Sequence, residues 1–391
     1  MLPEVKIDKK NFHKLDLSQL PTPCYVIDLN IVKQNLQLLR KIKEQTSVNI
    51  LLALKAFSLK KIGPMISDYL DGTSASGLNE AKLAKKYFHG LVSTFAPAFK
   101  ESEIEEIVKL SNHLIFNSLN QLEKFSVKAQ SEDVDIGVRI NPIYSEVKEK
   151  KYNPAGFDSR LGIHYDKLKD IDFKNIDGIH FHSLCEQNFS TLKNTWDVIY
   201  PEIKTYFKFL KWINLGGGHH ITRNDYDVNE LINFLNEIKV RTKCKIFIEP
   251  GEAIFFQSGI LVGEILDVLK SKDSKIPNIA ITDISPTCHM PDVIEAPYRP
   301  KLMNEAINNN GINVLIGGPS CLAGDNIGSY NFISLPKIGE KIVFLDQAHY
   351  TIVKTNFFNG ISHPSIFFWD SKKNELELVK NYTFKDYEMR L

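Results

Sequence analysis

The chain runs to 391 residues, 43% of them hydrophobic, enough to bury a substantial core in two domains or in one large barrel with an appendage. Its 48 basic and 47 acidic residues leave a formal charge of +1 spread along the chain, which excludes the concentrated field that gathers nucleic acid or an anionic membrane. No apolar run reaches the length of a signal peptide or a membrane span, and the scattered cysteines Cys24, Cys185, Cys244, Cys288 and Cys321 form neither a disulfide framework nor a zinc-type pair; a reduced, cytoplasmic protein without a metal site is expected.

In chain order, residues 21–29 read as a strand and 30–45 as an amphipathic helix. Eight short apolar, β-rich runs follow, at 48–55, 72–76, 91–95, 113–118, 135–142, 178–183, 212–218 and 245–251. Helical patterns at 78–87, 100–109 and 229–241 lie between several of them, the strand–helix–strand rhythm of a parallel sheet with crossovers. Eight such units predict an α/β fold built on a (β/α)8 barrel over residues 30–252. Beyond Gly251 the runs at 259–269, 278–284, 313–316, 341–345 and 365–369 are separated by Pro, Gly and Asn, which predicts an antiparallel β domain over 253–391 that residues 1–29 join through their strand.

Barrel enzymes carry their working groups at the C-terminal ends of the strands, and phosphate sites often follow strands seven and eight. Run seven ends in Gly216-Gly217-Gly218 and run eight in Glu249-Pro250-Gly251; such glycines let backbone N–H groups approach a phosphate, although glycine also merely punctuates strands. Lys55 closes the first run and would point into the barrel mouth. There, partial burial favours the neutral amine that imine formation requires; the alternative is a lysine snorkelling at a strand end. A Schiff-base lysine facing a phosphate cradle is the binding problem posed by pyridoxal phosphate. Glu249 is then a partner for the pyridine nitrogen and His182, closing run six, a ring to lie against the cofactor, where a lone histidine would otherwise be a core residue.

Seven motifs in order resemble the fold-type III pyridoxal-phosphate enzymes, the alanine-racemase-like barrel family that includes ornithine and diaminopimelate decarboxylases. They are Ala53-Leu54-Lys55, Ala75-Ser76-Gly77 with Glu80, His182, Gly216-Gly217-Gly218, Glu249-Pro250-Gly251, Gly318-Pro319-Ser320-Cys321, and Asp346-Gln347-Ala348-His349-Tyr350. The resemblance implies Lys55 as the cofactor's Schiff-base lysine, Glu249 on the ring nitrogen, His182 against the ring, Gly216, Gly217, Gly218 and Gly251 about the phosphate, and Tyr350 beside the cofactor. It also implies a homodimer in which Cys321 and Asp325 reach into the neighbouring site, Cys321 returning a proton to the substrate carbon after carbon dioxide leaves.

One departure from the family is Glu252, where arginine usually follows Glu-Pro-Gly as a phosphate partner; a carboxylate cannot take that role. With Gly218-His219-His220, Ser183-Leu184-Cys185-Glu186 and Thr287-Cys288-His289-Met290-Pro291-Asp292, the chain is most similar to the carboxynorspermidine decarboxylase branch. That branch implies a carboxypolyamine substrate whose cationic nitrogens need carboxylates along the pocket. Glu252, Asp283, Asp292 and Asp325, with Glu186, are the candidates, each weighed against an ordinary solvated acid. Arg160 is as readily a structural ion-pair residue as a support for the rim. The rival expectations are decarboxylation of ornithine or diaminopimelate, a racemase on the same fold, a non-catalytic cofactor carrier, and an aldolase-like barrel whose lysine meets substrate directly.

Overall fold

The computed structural model describes residues 11–273, 275–295, 298–306 and 311–391; of the N-terminal segment assigned to the β domain, residues 1–10 lie outside those described. Strand β1 (Cys24–Asp28) leads directly into helix α1 (Leu29–Thr46), whose Ile31, Val32, Leu36, Leu39 and Ile42 recur at helical spacing and are fully buried.

Eight parallel strands then close a barrel: β2 (Asn49–Ala53), β3 (Gly72–Ala75), β4 (Leu91–Phe95), β5 (His113–Phe116), β6 (Asp135–Asn141), β8 (Gly178–His180), β9 (Trp212–Asn214) and β10 (Lys245–Ile248), with β10 pairing back onto β2. A two-residue strand, β7 (Ile163–His164), adds to the edge of β6 without entering the ring. Each barrel strand falls within one of the eight apolar runs. Helices Leu78–Tyr87, Ile104–Leu110, Leu119–Gln130, Phe189–Ile203 and Val228–Thr242 form crossovers.

The barrel floor shows how sequence sets the interior. Trp212 on β9 packs with Leu51, Ile115 and Phe247, and His113 stacks on its indole with ring centroids 4.5 Å apart. The indole fits only because two of its neighbours are glycines: a Cβ on Gly178 would lie 2.0 Å from the Trp212 ring and one on Gly137 2.4 Å. A single large residue thus fills a layer to which two adjacent strands contribute glycine.

The remaining strands are β11 (Gly259–Leu269), β12 (Asn278–Thr282), β13 (Ile312–Gly317), β14 (Asn326–Phe332), β15 (Lys341–Leu345), β16 (Ser365–Asp370) and β17 (Glu375–Lys380). They make one sheet in the order β14-β13-β12-β11-β1-β16-β17, with β15 also on β11. The sheet is mostly antiparallel, as expected, with two parallel pairings, β1 with β16 and β12 with β13. By compactness the chain divides into a barrel unit, Gln34–Ile254, and a β unit made of the described residues up to Lys33 together with Phe255–Leu391. Among the described residues no helix is long and apolar enough to cross a membrane.

Candidate active site

Successive residues of a strand point to opposite faces, so side chains from several barrel strands meet inside only at alternate positions. Arg139 on β6, His180 on β8, Asn214 on β9 and Glu249, one residue past β10, form such a meeting. Asn214 Nδ2 donates to Glu249 Oε1 at 2.7 Å, while His180 Nε2 lies 3.8 Å from Glu249 Oε2. The Arg139 guanidinium sits over the Phe95 ring at 4.7 Å and donates from Nη2 to the His182 carbonyl at 3.2 Å. This polar layer lies below the mouth, where Lys55 and His182 are each two residues past their strand ends.

Lys55 is open to the barrel mouth yet enclosed by protein, and that enclosure is the main reason its amine is held below the ordinary lysine range. The Arg139 charge pushes the same way, and Glu249, Cys185 and Glu80 oppose it. Burial also raises the Glu249 carboxyl above its usual value, with hydrogen bonds from Asn214 and Ser74 and the charges of Lys55 and Arg139 pulling it back. His182 is pushed well below the usual histidine range by burial and by Lys55 and Arg139. It is neutral, and because its Nδ1 accepts from the Gly217 N–H at 3.1 Å its hydrogen resides on Nε2.

The glycine loop is shaped by close approach as much as by its turn. Gly216 and Gly218 take φ of 71° and 84°, and a Cβ on Gly217 would lie 2.1 Å from the Glu249 carbonyl oxygen. Gly251 packs so closely that its Cβ would lie 2.6 Å from that of Ala56, beside Lys55 in sequence. Glu252 begins the short helix Glu252–Phe255, and its Oε1 lies 3.3 Å from Nε2 of buried His220. Glu186, exposed and at a φ of 56°, completes a group in which all three residues offer a ligand atom within 4.8 Å of one another. Arg160 is exposed and lends its carbonyl to Asn117 at 3.0 Å.

Five sequence-selected residues belong to the β unit. Cys321 is exposed and free, with its N–H donating to Asn359 Oδ1 at 2.8 Å. Asp325 is buried and accepts from Ser285 Oγ (2.9 Å), the Thr287 N–H (2.9 Å) and the Ser320 N–H (3.2 Å), tying down the turn that carries Cys321. Asp283 accepts from the Glu264 N–H at 2.8 Å, and its carboxyl is raised chiefly by burial. Asp292 pairs with Lys354 at 2.5 Å. Tyr350 sits at a φ of 56°, next to His349, whose Nε2 lies 3.2 Å from Asp346 Oδ1.

The sequence reading missed Arg139, His180 and Asn214. Their signal was a polar residue at the inward parity of an otherwise apolar run, in register with His182 and Gly216.

A closed parallel barrel with a mouth lysine of lowered basicity and a buried carboxylate, together with a mostly antiparallel β domain, is the barrel-and-β-domain architecture that the chain shares with known decarboxylases. The chain is 39% identical over 384 residues to the carboxynorspermidine/carboxyspermidine decarboxylase of Campylobacter jejuni, covering 95% of this chain and 99% of that protein. It is 36% identical to the carboxyaminopropylagmatine decarboxylase of a Synechocystis species, covering 96% of each. The crystal structure of the Campylobacter jejuni carboxynorspermidine decarboxylase complexed with norspermidine matches with a TM-score of 0.87 at 38% identity, covering 95% of this chain and 100% of that one. Helicobacter pylori diaminopimelate decarboxylase, at 17% identity, covers 96% of this chain and 99% of its own and shares the fold with a TM-score of 0.82. No family model matches the chain. The chain belongs to the carboxynorspermidine/carboxyspermidine decarboxylase family.

Proposed function

We propose that this protein is a pyridoxal-phosphate-dependent decarboxylase that removes the α-carboxylate of carboxynorspermidine or carboxyspermidine, giving norspermidine or spermidine for polyamine biosynthesis. The observation that carries the reading is the pairing of Lys55, an amine of lowered proton affinity at the barrel mouth, with the buried carboxylate of Glu249.

The residues fit the cofactor. Lys55 supplies the amine for its aldehyde, Glu249 a carboxylate for its ring nitrogen, and His182 a neutral ring for its face. Gly216, Gly217, Gly218 and Gly251 leave a rim free of side chains for its phosphate, and the family resemblance assigns Tyr350 to the cofactor as well. When bound, the cofactor supplies an electron sink for the pair left on the substrate carbon as carbon dioxide departs.

The chain's own groups do the rest. The surroundings of Lys55, burial first and the Arg139 charge second, lower the cost of freeing its amine for imine formation. Glu249, fixed through Oε1 by Asn214, retains the carboxylate that keeps a proton on the ring nitrogen. The exposed Cys321 thiol returns a proton to the substrate carbon of a partner subunit, so the working form is a homodimer with shared sites, and Asp325 holds the turn that presents it. Glu252, backed by Glu186, meets a cationic nitrogen of the substrate. Asp292 adds negative charge beside Lys354, and Asp283 and Asp325, whose oxygens accept from their own unit, act by fixing backbone. Five cysteines and no disulfide among them support a reducing, cytoplasmic setting.

The test is carbon dioxide release from carboxynorspermidine, carboxyspermidine, carboxyaminopropylagmatine, ornithine and diaminopimelate by the purified protein. The expected result is a yellow protein with release highest on the first two, and loss of both colour and turnover in Lys55→Ala. A colourless active protein would point to direct lysine condensation. Racemisation without gas release would place the chain among the racemases, and a preference for the third substrate would reassign the tail.

A further inference from the structure

His180 is 2% exposed and lies in the barrel interior, its ring 5.6 Å from that of Phe95. Among the described residues neither ring nitrogen has a hydrogen-bond partner; the charged group in reach is Glu249 Oε2, 3.8 Å from Nε2. A buried imidazole without a partner costs stability, so its retention calls for a use. Burial and the charges of Arg139 and Lys55 hold it well below the usual histidine range, so the ring is neutral and has one N–H to give. Asn214 already fills Glu249 Oε1 at 2.7 Å, leaving Oε2 as the oxygen that His180 faces. A closing shift of about 0.8 Å would bring Nε2 to ordinary hydrogen-bond distance, and such bonds are often long before the ligand is in place.

We infer that His180 is a positioning residue that donates from Nε2–H to Glu249 Oε2 and thereby sets on which side of the Glu249–ring nitrogen bond the proton rests. This deepens the cofactor reading above and depends on it. Each donor to the carboxylate lowers its basicity, so His180, added to Asn214 and Ser74, helps to keep the proton on the ring nitrogen. With one donor removed, a buried carboxylate competes for that proton and the electron sink weakens. The substitution His180→Phe would preserve the ring packing against Phe95 but not the N–H; asparagine or glutamine would keep a donor.

The experiment is 15N NMR of holoenzyme loaded with pyridoxal phosphate labelled at the ring nitrogen, with kcat and KM measured beside it, in wild type, His180→Phe, His180→Asn and His180→Gln. In wild type the ring nitrogen should resonate in the protonated range. In His180→Phe it should move toward the unprotonated range while kcat falls by about tenfold and KM holds, the loss expected of one hydrogen bond to a charged group. His180→Asn or His180→Gln should restore both readouts at least in part. An unmoved nitrogen signal in His180→Phe, or equal loss in all folded variants, overturns the inference alone. A wild-type protein that takes up no cofactor overturns the reading on which it rests. If His180→Phe does not fold, the nitrogen shift in the asparagine and glutamine variants decides: a signal as in wild type supports donation, and an unprotonated one in both refutes it.

Discussion

Replacing Gly217 with alanine should damage catalysis more than stability. The new Cβ would fall 2.1 Å from the Glu249 carbonyl oxygen and 3.0 Å from its carbon, both backbone atoms that cannot rotate away. Reaching van der Waals contact requires the loop after β9 and the end of β10 to part by roughly 1 Å. Those two segments are held together: the Glu249 N–H donates to the Gly216 carbonyl at 2.8 Å, and the Leu215 N–H to the Phe247 carbonyl at 2.9 Å. Overpacking of this kind costs about 1–3 kcal/mol, which for a unit of this size corresponds to a fall in Tm of roughly 3–10 °C. The same displacement shifts Glu249 against Asn214, and misplacement by about 1 Å can lower kcat on the order of a hundredfold. Calorimetry and a carbon dioxide release assay on Gly217→Ala measure the two losses separately. Gly324→Ala, where a Cβ meets nothing within 4 Å, is the control that should leave Tm unchanged. A Gly217→Ala protein with Tm and kcat both at wild-type values would refute the close-approach argument.

Acid should loosen the barrel floor through His113, which burial lowers to about 4 from 6.5. Because the folded value lies below the unfolded one, the stability it contributes is complete above 6.5 and is lost as pH falls toward 4, about 3 kcal/mol in all. His113→Phe keeps a ring against Trp212 and removes that titration, so urea unfolding from neutral to acid pH should show a decline smaller by about that amount; an identical decline would assign the sensitivity elsewhere. The shared-site dimer predicts that Lys55→Ala and Cys321→Ala, each inactive alone, recover about a quarter of wild-type activity when their subunits are mixed and allowed to exchange. No recovery despite exchange would mean that each site is complete within one chain.

The barrel was legible because its eight strands fall in short, β-rich and mostly buried runs spaced by crossovers, while most of those runs extended past the strand ends. The run at 212–218 shortens to Trp212–Asn214 because Gly216 and Gly218 take positive φ and leave the ladder. Strands β14 and β17 went unseen because both lie at sheet edges: Glu375–Lys380 alternates Glu with Leu and lacks a continuous apolar run, and its charged side chains discourage further pairing. The parallel pairing of Cys24 with Ser365 joins segments too far apart for any local pattern to reveal. Within the site, Lys55, His182 and Glu249 were legible as strand-end residues. Arg139, His180 and Asn214 sit one inward step deeper, inside runs whose hydrophobicity masked them.

That deeper layer explains how the mouth lysine and its carboxylate coexist. Barrel interiors are ordinarily filled by branched apolar side chains, yet here a guanidinium, an imidazole, an amide and a carboxylate share one level. Arg139 retains its charge even with its basicity reduced to about 10. A buried cation needs a nearby anion, and Glu249 answers it. The field of Arg139 then discourages a second cation at Lys55, while burial discourages a charged imidazole at His180 and His182. The arrangement sets the Arg139 cation against the Glu249 carboxylate, with the two histidines neutral and the Lys55 amine of lowered basicity. Removing the Arg139 charge would leave burial, the larger cause, still lowering Lys55, would raise its proton affinity in part, and would leave Glu249 with one fewer cation to hold it ionised. Burial is the larger influence on both groups; the arginine beneath the mouth adds to it at Lys55 and opposes it at Glu249.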